Sequence, residues 1–185
     1  MASVINGTNI VLYEYDSNAI YYFNGGTAQG TFDSIVCKEL SRSQVAGTSV
    51  NFTKTGAGTI AAFITDALDP GVTTIPAGTW TFSAYYSIAT AFAGAQVKYE
   101  LYKYNGSVAT LLFTSATTTT LGFLAKTLYT TQMTVTETTI SATDRLLVKV
   151  VYFGVTTNQI TLYTQSTNVA QVTTTIPLGT PMGAS

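Results

Sequence analysis

Apolar and polar residues alternate with a period of two along most of this chain. Trp80, Phe82, Ala84 and Tyr86 fall on one face of a run whose other face holds Thr81, Ser83 and Tyr85. That is the pattern of a strand buried on one side. Val97, Tyr99 and Leu101 repeat it with Lys98 and Glu100 outward, and Tyr129, Thr131, Met133 and Val135 alternate with Thr130, Gln132, Thr134 and Thr136. Residues 146–153 are apolar on both faces apart from Lys149. They predict a central strand covered on each side, or one whose second face meets a partner. A last strand begins at Ile160, Leu162 and Thr164 and is expected to run to Ile176. β-Branched and aromatic side chains, which pack well on a pleated surface, fill these segments.

Turn chemistry separates the strands. Asp69-Pro70-Gly71, Pro76-Ala77-Gly78, Asn105-Gly106 and Thr157-Asn158 sit at the breaks. Asn105-Gly106, between 97–104 and 109–115, is the clearest hairpin signal, because both residues accept positive φ. No segment shows a helical period, and residues 37–46 predict a short helical turn or an irregular loop. The evenly spaced strands predict a sandwich or barrel. The first 55 residues read as an annex: a tyrosine-rich hairpin of 9–15 and 19–23 around Asp16-Ser17-Asn18, then a strand over 32–40. The expected organisation is an N-terminal hairpin and attachment segment (1–55), a β-sandwich (56–176) and an extended tail (177–185). The boundary falls near 54–58, and Pro177 and Pro181 keep the tail from regular pairing.

Composition narrows the function. With 185 residues the chain suits one domain with a small annex. It is 46% hydrophobic, so it can bury a core and is not a disordered chain. The absence of histidine removes histidine-based catalysis and histidine–metal sites. One cysteine, Cys37, forms no intrachain disulfide and fits synthesis in a reducing cytosol. A net charge of −1 with eight dispersed bases argues against nucleic-acid binding. The uncharged runs 70–97 and 150–185 are broken by proline, glycine and threonine, so they are not membrane spans. The N-terminus lacks the basic and apolar regions of a signal peptide. The triplets at Asn6, Asn51 and Asn105 are at chance frequency and carry no glycosylation signal without a secretion route.

Only 9% of residues are charged, against about 25% in an average soluble protein, whereas 36 are threonine. Either neighbouring subunits cover much of this surface, or hydroxyls and amides keep it wet. Covering by an assembly is the expectation followed here. Candidate chemistry is sparse. No Ser-x-x-Lys or Gly-x-Ser-x-Gly occurs, so a nucleophilic serine lacks its base. Glu14 with Asp16 and Asp66 with Asp69 are the only close carboxylate pairs to weigh as a glycosidase pair, and the second pair also as part of a calcium site. Ordinary strand-edge and turn roles explain both. No catalytic residue, cofactor or metal ligand is assigned. The densest aromatic group is Tyr13, Tyr15, Tyr21, Tyr22 and Phe23. It is open to three readings: core, protein interface or sugar-stacking platform.

Two stretches carry a resemblance. Ile75-Pro76-Ala77-Gly78-Thr79-Trp80-Thr81-Phe82, followed by the 97–104 strand, resembles the opening strands of a jelly-roll sandwich common in tailed-bacteriophage virion proteins. Ile140-Ser141-Ala142-Thr143-Asp144-Arg145-Leu146-Leu147-Val148-Lys149-Val150 resembles a later turn and buried strand of the same family. The resemblance covers about 56–176, and residues 5–13 resemble the start of some phage structural proteins. It implies an all-β jelly-roll β-sandwich with an N-terminal β-hairpin extension. It also implies a non-enzymatic auxiliary, decoration or fibre-type protein, made in the host cytoplasm and resident in the virion. Its partners would be the major capsid or tail protein and copies of itself, with no nucleic acid and no membrane. Similar sandwiches serve as carbohydrate-binding modules, so a host-surface glycan is the alternative partner.

Overall fold

The computed structural model describes residues 5–6, 9–10, 17–90, 94–122, 124–153 and 158–178. Every regular element among them is a strand. In chain order these are β1 (Ile5–Asn6), β2 (Asn9–Ile10), β3 (Asn18–Phe32), β4 (Ile35–Ser41), β5 (Val50–Thr55), β6 (Gly58–Ile64), β7 (Thr74–Ile75) and β8 (Gly78–Ile88). They continue as β9 (Gln96–Tyr104), β10 (Ala109–Thr114), β11 (Thr127–Val135), β12 (Thr138–Thr139), β13 (Arg145–Phe153), β14 (Gln159–Thr164) and β15 (Gln171–Pro177). The expected all-β jelly-roll sandwich is the fold observed.

Two layers face each other. The first has the order β10-β9-β13-β6-β4 and ends on the far half of β3. The second places β11 on one edge of β8, while β15 and β14 lie end to end along the other. The near half of β3 backs β15, and β5 backs β14. From β6 onward the chain crosses repeatedly between layers, in the jelly-roll manner. All pairings are antiparallel except β4 with β6, which meet only at Lys38↔Phe63 and Glu39↔Ile64. β1 pairs with β2, and β7 with β12.

The core lies between the layers. Trp80, Phe82 and Tyr86 of β8 meet Tyr99 of β9, Tyr152 of β13, Phe63 of β6 and Phe23 of β3, all buried. The Phe82 and Tyr99 rings stack with centroids 4.4 Å apart. The hydroxyls of Tyr86 and Tyr99 share a hydrogen bond of 2.7 Å inside this core. A smaller cluster of Cys37, Ala62, Ile64 and Leu147 forms on the first layer's other face, with Phe32, Ile35, Tyr102 and Tyr104 against it. β13 is central, and on its second face Leu147 is buried in this cluster, whereas Val151 is half-buried and Phe153 exposed. The connection after β10 laces the layers together, since Ser115 N donates to Tyr99 O and Ala116 N to Gln132 O. Unpaired strand edges are reduced accordingly.

Four expectations need correction. Residues 18–55 are not an annex: β3, β4 and β5 are paired members of the two layers, and the boundary at 54–58 falls on the two-residue turn 56–57 joining β5 to β6. Ala19, Tyr21 and Phe23 supply inward side chains that the core needs, so this part cannot stand apart. The strand expected over 32–40 breaks at Asp33-Ser34, both at positive φ (48° and 63°), which makes a tight turn between β3 and β4. Residues 37–46 contain the rest of β4, not a helical turn. The strand expected from 160 to 176 divides at Gln165-Ser166, again at positive φ, and the two pieces share one edge of β8. The Asn105-Gly106 hairpin is present with a four-residue loop, in which Asn105 Oδ1 accepts from the backbone N–H groups of Ser107 and Val108. Of the expected 9–15/19–23 hairpin, residues 11–16 lie outside the described residues, and the 19–23 half pairs with β15 and β4. Of the expected tail, Pro177 still pairs with Asn18, and residues 179–185 lie outside the described residues.

Candidate functional site

The predicted aromatic group is split by strand alternation. Tyr21 and Phe23 point inward and are buried, which overturns their reading as interface residues. Tyr22 points outward from the second layer. Tyr13 and Tyr15, with Glu14 and Asp16, lie outside the described residues.

The second carboxylate pair is occupied by structural partners. Asp69 accepts from the Tyr21 hydroxyl at 2.8 Å and pairs with Arg42 at 2.9 Å. Arg42 also donates to Pro70 O at 3.2 Å and lies over the Tyr21 ring. Burial, then the neighbouring Asp69 charge, pushes the Tyr21 hydroxyl well above its usual range. Asp66 accepts from Gln29 Nε2 at 2.7 Å, and Gln29 Oε1 in turn accepts from Arg145. This network pins the loop after β6 to β3, β4 and β13. Among the described residues no group of three or more Cys, Asp or Glu gathers to hold a metal.

The feature without such a structural role is the outer wall of the second layer. The β-register fixes which side chains share it. On β8 they are Thr79, Thr81, Ser83, Tyr85 and Ser87. β11 places Leu128, Thr130, Gln132 and Thr134 beside them. On the other edge stand Gln171 and Thr173 of β15 and, beyond, Ile20 and Tyr22 of β3. Gln159, Thr161 and Tyr163 of β14, then Asn51, Thr53 and Thr55 of β5, complete it. None of these outward positions is charged. Tyr85 lies opposite Tyr163, whose hydroxyl bonds Ser87 Oγ at 2.8 Å. Lys126, just before β11, reaches onto the wall, 5.5 Å from the Tyr163 ring centre.

Charge gathers on the opposite face. Lys98 pairs with Glu100 at 2.9 Å on β9, and Tyr102 donates to Glu100 at 2.8 Å. Lys149 lies over Tyr102 and Lys98 over Phe153. Burial alone would raise the Glu100 carboxyl, but the bonds from Lys98 and Tyr102 outweigh it and hold it below the usual range. The Tyr102 hydroxyl is pushed up to about 12 by burial and by Glu100. An open cleft of about 210 Å³ lies where β4 and β6 splay, lined by Val36, Lys38, Phe52 and Ile60–Ala62.

The wall was only partly legible in the sequence. Its centre comes from the uncharged runs 70–97 and 150–185, which supply β8, β14 and β15. That β5, β11 and β3 extend the same wall depends on pairings between distant segments, and no local pattern encodes these.

No protein-family model matches the sequence, and no curated protein is significantly similar to it. Solved structures share the fold. A CocE/NonD family hydrolase from Staphylococcus aureus superposes with a TM-score of 0.54 at 10% identity over 85% of this chain. A second crystal structure of a CocE/NonD family hydrolase from Staphylococcus aureus gives 0.53 at 9% identity, again over 85%. An aminopeptidase from a marine-sediment Thaumarchaeota archaeon gives 0.54 at 9% identity over 84%. In each case the chain spans 36% of the other protein's length. The likeness is one of fold: this β-sandwich architecture also occurs as a part of larger hydrolases.

Proposed function

We propose that this chain is a non-catalytic packing module of a larger particle, and that neighbouring subunits cover the outer wall of its second layer. The observation that carries the reading is the segregation of charge: the outward strand positions of one broad wall have none, with Lys126 alone among the described residues reaching it, while Lys98, Glu100 and Lys149 stand on the opposite face. A solvent-facing wall gains from charge, which hydrates strongly and discourages association. A covered wall loses by it, because an unpaired buried charge costs several kcal/mol, and charged residues are depleted at interface centres. Hydroxyls and amides tolerate both states, since each finds partners in water or in a neighbour. The resemblance to tailed-phage virion proteins supports a setting in a virion, as an auxiliary capsid or tail component.

The test is a charge placed on the wall. Thr81→Lys sits on β8, one of the wall's inner strands, and Lys149→Gln on the other face is the control. Purified particles are examined by quantitative mass spectrometry for copies of this chain, and each variant's thermal midpoint is measured. Thr81→Lys is expected to lose incorporation with its folding midpoint within a few degrees of the parent. Full occupancy by a folded Thr81→Lys chain overturns the reading. Removing residues 1–30 is not a clean test, because it takes away most of β3, the strand both layers share.

A second reading has its own observation. Tyr22, Tyr85 and Tyr163 share the wall with its hydroxyls and amides, a chemistry that also suits a glycan laid across a sheet. Glycan-array binding abolished by Tyr163→Ala would favour this reading, and silence across a broad array would exclude it.

A further inference from the structure

Resting on that reading, we infer that the neighbour covering the wall is a second copy of this chain, set face to face about a two-fold axis. Three features of the wall argue for a like partner. Its outward strand positions carry no charge, so opposing them to themselves brings no like charges together, and the one cation that reaches the wall among the described residues, Lys126, lies against the Tyr163 ring. Its polar side chains are Thr, Ser, Gln, Asn and Tyr, and each of these both donates and accepts hydrogen bonds. Such a face is its own complement in any in-plane orientation, whereas a face of fixed donors or fixed charges is not. Apolar side chains are dispersed within it: Leu128 is 48% exposed at one side, and Tyr85, Tyr163, Tyr22 and Ile20 follow across the sheet.

The area suits a weak, transient pair. At any level the wall is four strands wide. Strands about 4.8 Å apart, about eight residues long and rising about 3.4 Å per residue give about 500 Å² of face. Two opposed faces then remove about 1,000 Å² from water, at the lower bound for a specific contact. The pair should therefore form in a concentration-dependent way. In a two-fold contact the same patch serves both copies, and the residue at the centre faces its own mate. With four strands abreast the middle falls between β8 and its β15 and β14 neighbours, and Ser83, on β8 between Thr130 and Gln171, stands beside it.

Sedimentation of the full-length chain tests this. The parent is expected to rise from 19.6 kDa toward twice that mass with concentration. Ser83→Lys and Ser83→Glu alone should each stay monomeric, with association weakened about tenfold or more. An equimolar mixture of the two should pair again, because Lys then faces Glu across the axis. Thermal unfolding of each variant establishes that it is folded. If either Ser83 variant fails to fold, Thr130→Lys and Thr130→Glu, at an exposed position, are to be used, and both alone should weaken pairing. A parent that stays at 19.6 kDa at every concentration overturns the self-pairing. So do folded single variants that associate as well as the parent. If the parent is monomeric while Thr81→Lys still loses incorporation into particles, the packing reading survives and only the identity of the neighbour is wrong. If incorporation is also unaffected, both fall.

Discussion

The hydroxyl pair at the centre of the sandwich offers a sharp test of the core. Tyr86 and Tyr99 are 0% and 1% exposed and bond each other at 2.7 Å, one from each layer. Both hydroxyls are held neutral, chiefly by burial, with pKa values above the ordinary phenol range. Tyr86→Phe removes one hydroxyl and leaves the other buried without its partner. Such an orphan costs about 1–3 kcal/mol, and Tyr99→Phe should cost about the same. The double Phe variant removes both polar groups and keeps the rings, so it should lie within about 1 kcal/mol of the parent. With each single change at about 2 kcal/mol, the cycle thus predicts a favourable coupling of about 3 kcal/mol, where independent sites would give nearly none. Urea unfolding with a shared m-value measures it, and a single change of about 2 kcal/mol should lower the thermal midpoint of a chain this size by about 4–8 °C. Single variants as stable as the parent, or a double variant whose loss equals the sum of the singles, would refute the pairing as drawn.

Two further outcomes follow from named groups. At Gly25 an added Cβ would fall 2.7 Å from Phe52 Cε2 and against Thr164 Oγ1, so Gly25→Ala should cost about 1–3 kcal/mol through overpacking, read as a fall in the urea midpoint. Stability should be flat from about pH 6 to about pH 8.5, because the chain has no histidine to titrate there. On the alkaline side, Tyr102 rises from 10.0 to about 12 and Cys37 from 9.0 to about 11 on folding, and Tyr21, Tyr86 and Tyr99 shift the same way. The unfolded chain releases these protons first, so the stability they contribute is complete below their unfolded values and is lost as pH rises through the folded ones. Glu100 acts oppositely: its folded carboxyl is depressed, so its contribution holds above the ordinary carboxylate range and is lost in acid. A thermal-midpoint series from pH 3 to 12 checks all of this, and a step near pH 6–7 would contradict it.

Strand identity was legible where burial is one-sided. The alternation of Trp80, Phe82, Ala84 and Tyr86 is a direct record of which side of β8 faces the core. The two-sided apolarity of β13 likewise marked a central strand. What escaped were the breaks at Asp33-Ser34 and Gln165-Ser166. Both turns hold non-glycine residues at positive φ, and nothing in Asp-Ser or Gln-Ser announces that conformation as Asn-Gly does. The place of residues 18–55 escaped for a different reason. β3 is partner to β15, whose paired positions lie about 150 residues away, and to β4 next door. A shared, bulged strand resembles a hairpin arm when only its neighbours in sequence are visible. The aromatic group stayed open between core and surface for a related reason. Density of tyrosine does not say which side of a strand each ring takes, and alternation sent Tyr21 and Phe23 inward but Tyr22 outward.

The distribution of charge is harder to explain as a by-product of folding. Both outer faces belong to the same antiparallel sandwich, and both tolerate charge equally well as far as the core is concerned. β9 and β13 carry Lys98, Glu100 and Lys149 at outward sites that are sterically like Thr81, Ser83 or Thr173 of β8 and β15. Propensity does not separate them, since threonine suits every strand and would have served on the first layer too. A requirement for solubility would spread charge over both faces, because repulsion works best when no uncharged patch is left large enough to meet another. The asymmetry instead matches a body with one face toward water and one face toward a neighbour. The strands that hold the uncharged face come from β3, β5, β8, β11, β14 and β15, drawn from nearly the whole described chain. A compositional bias confined to one stretch of sequence cannot produce it. It has to be specified position by position on six strands, at outward sites where the fold itself imposes no such choice.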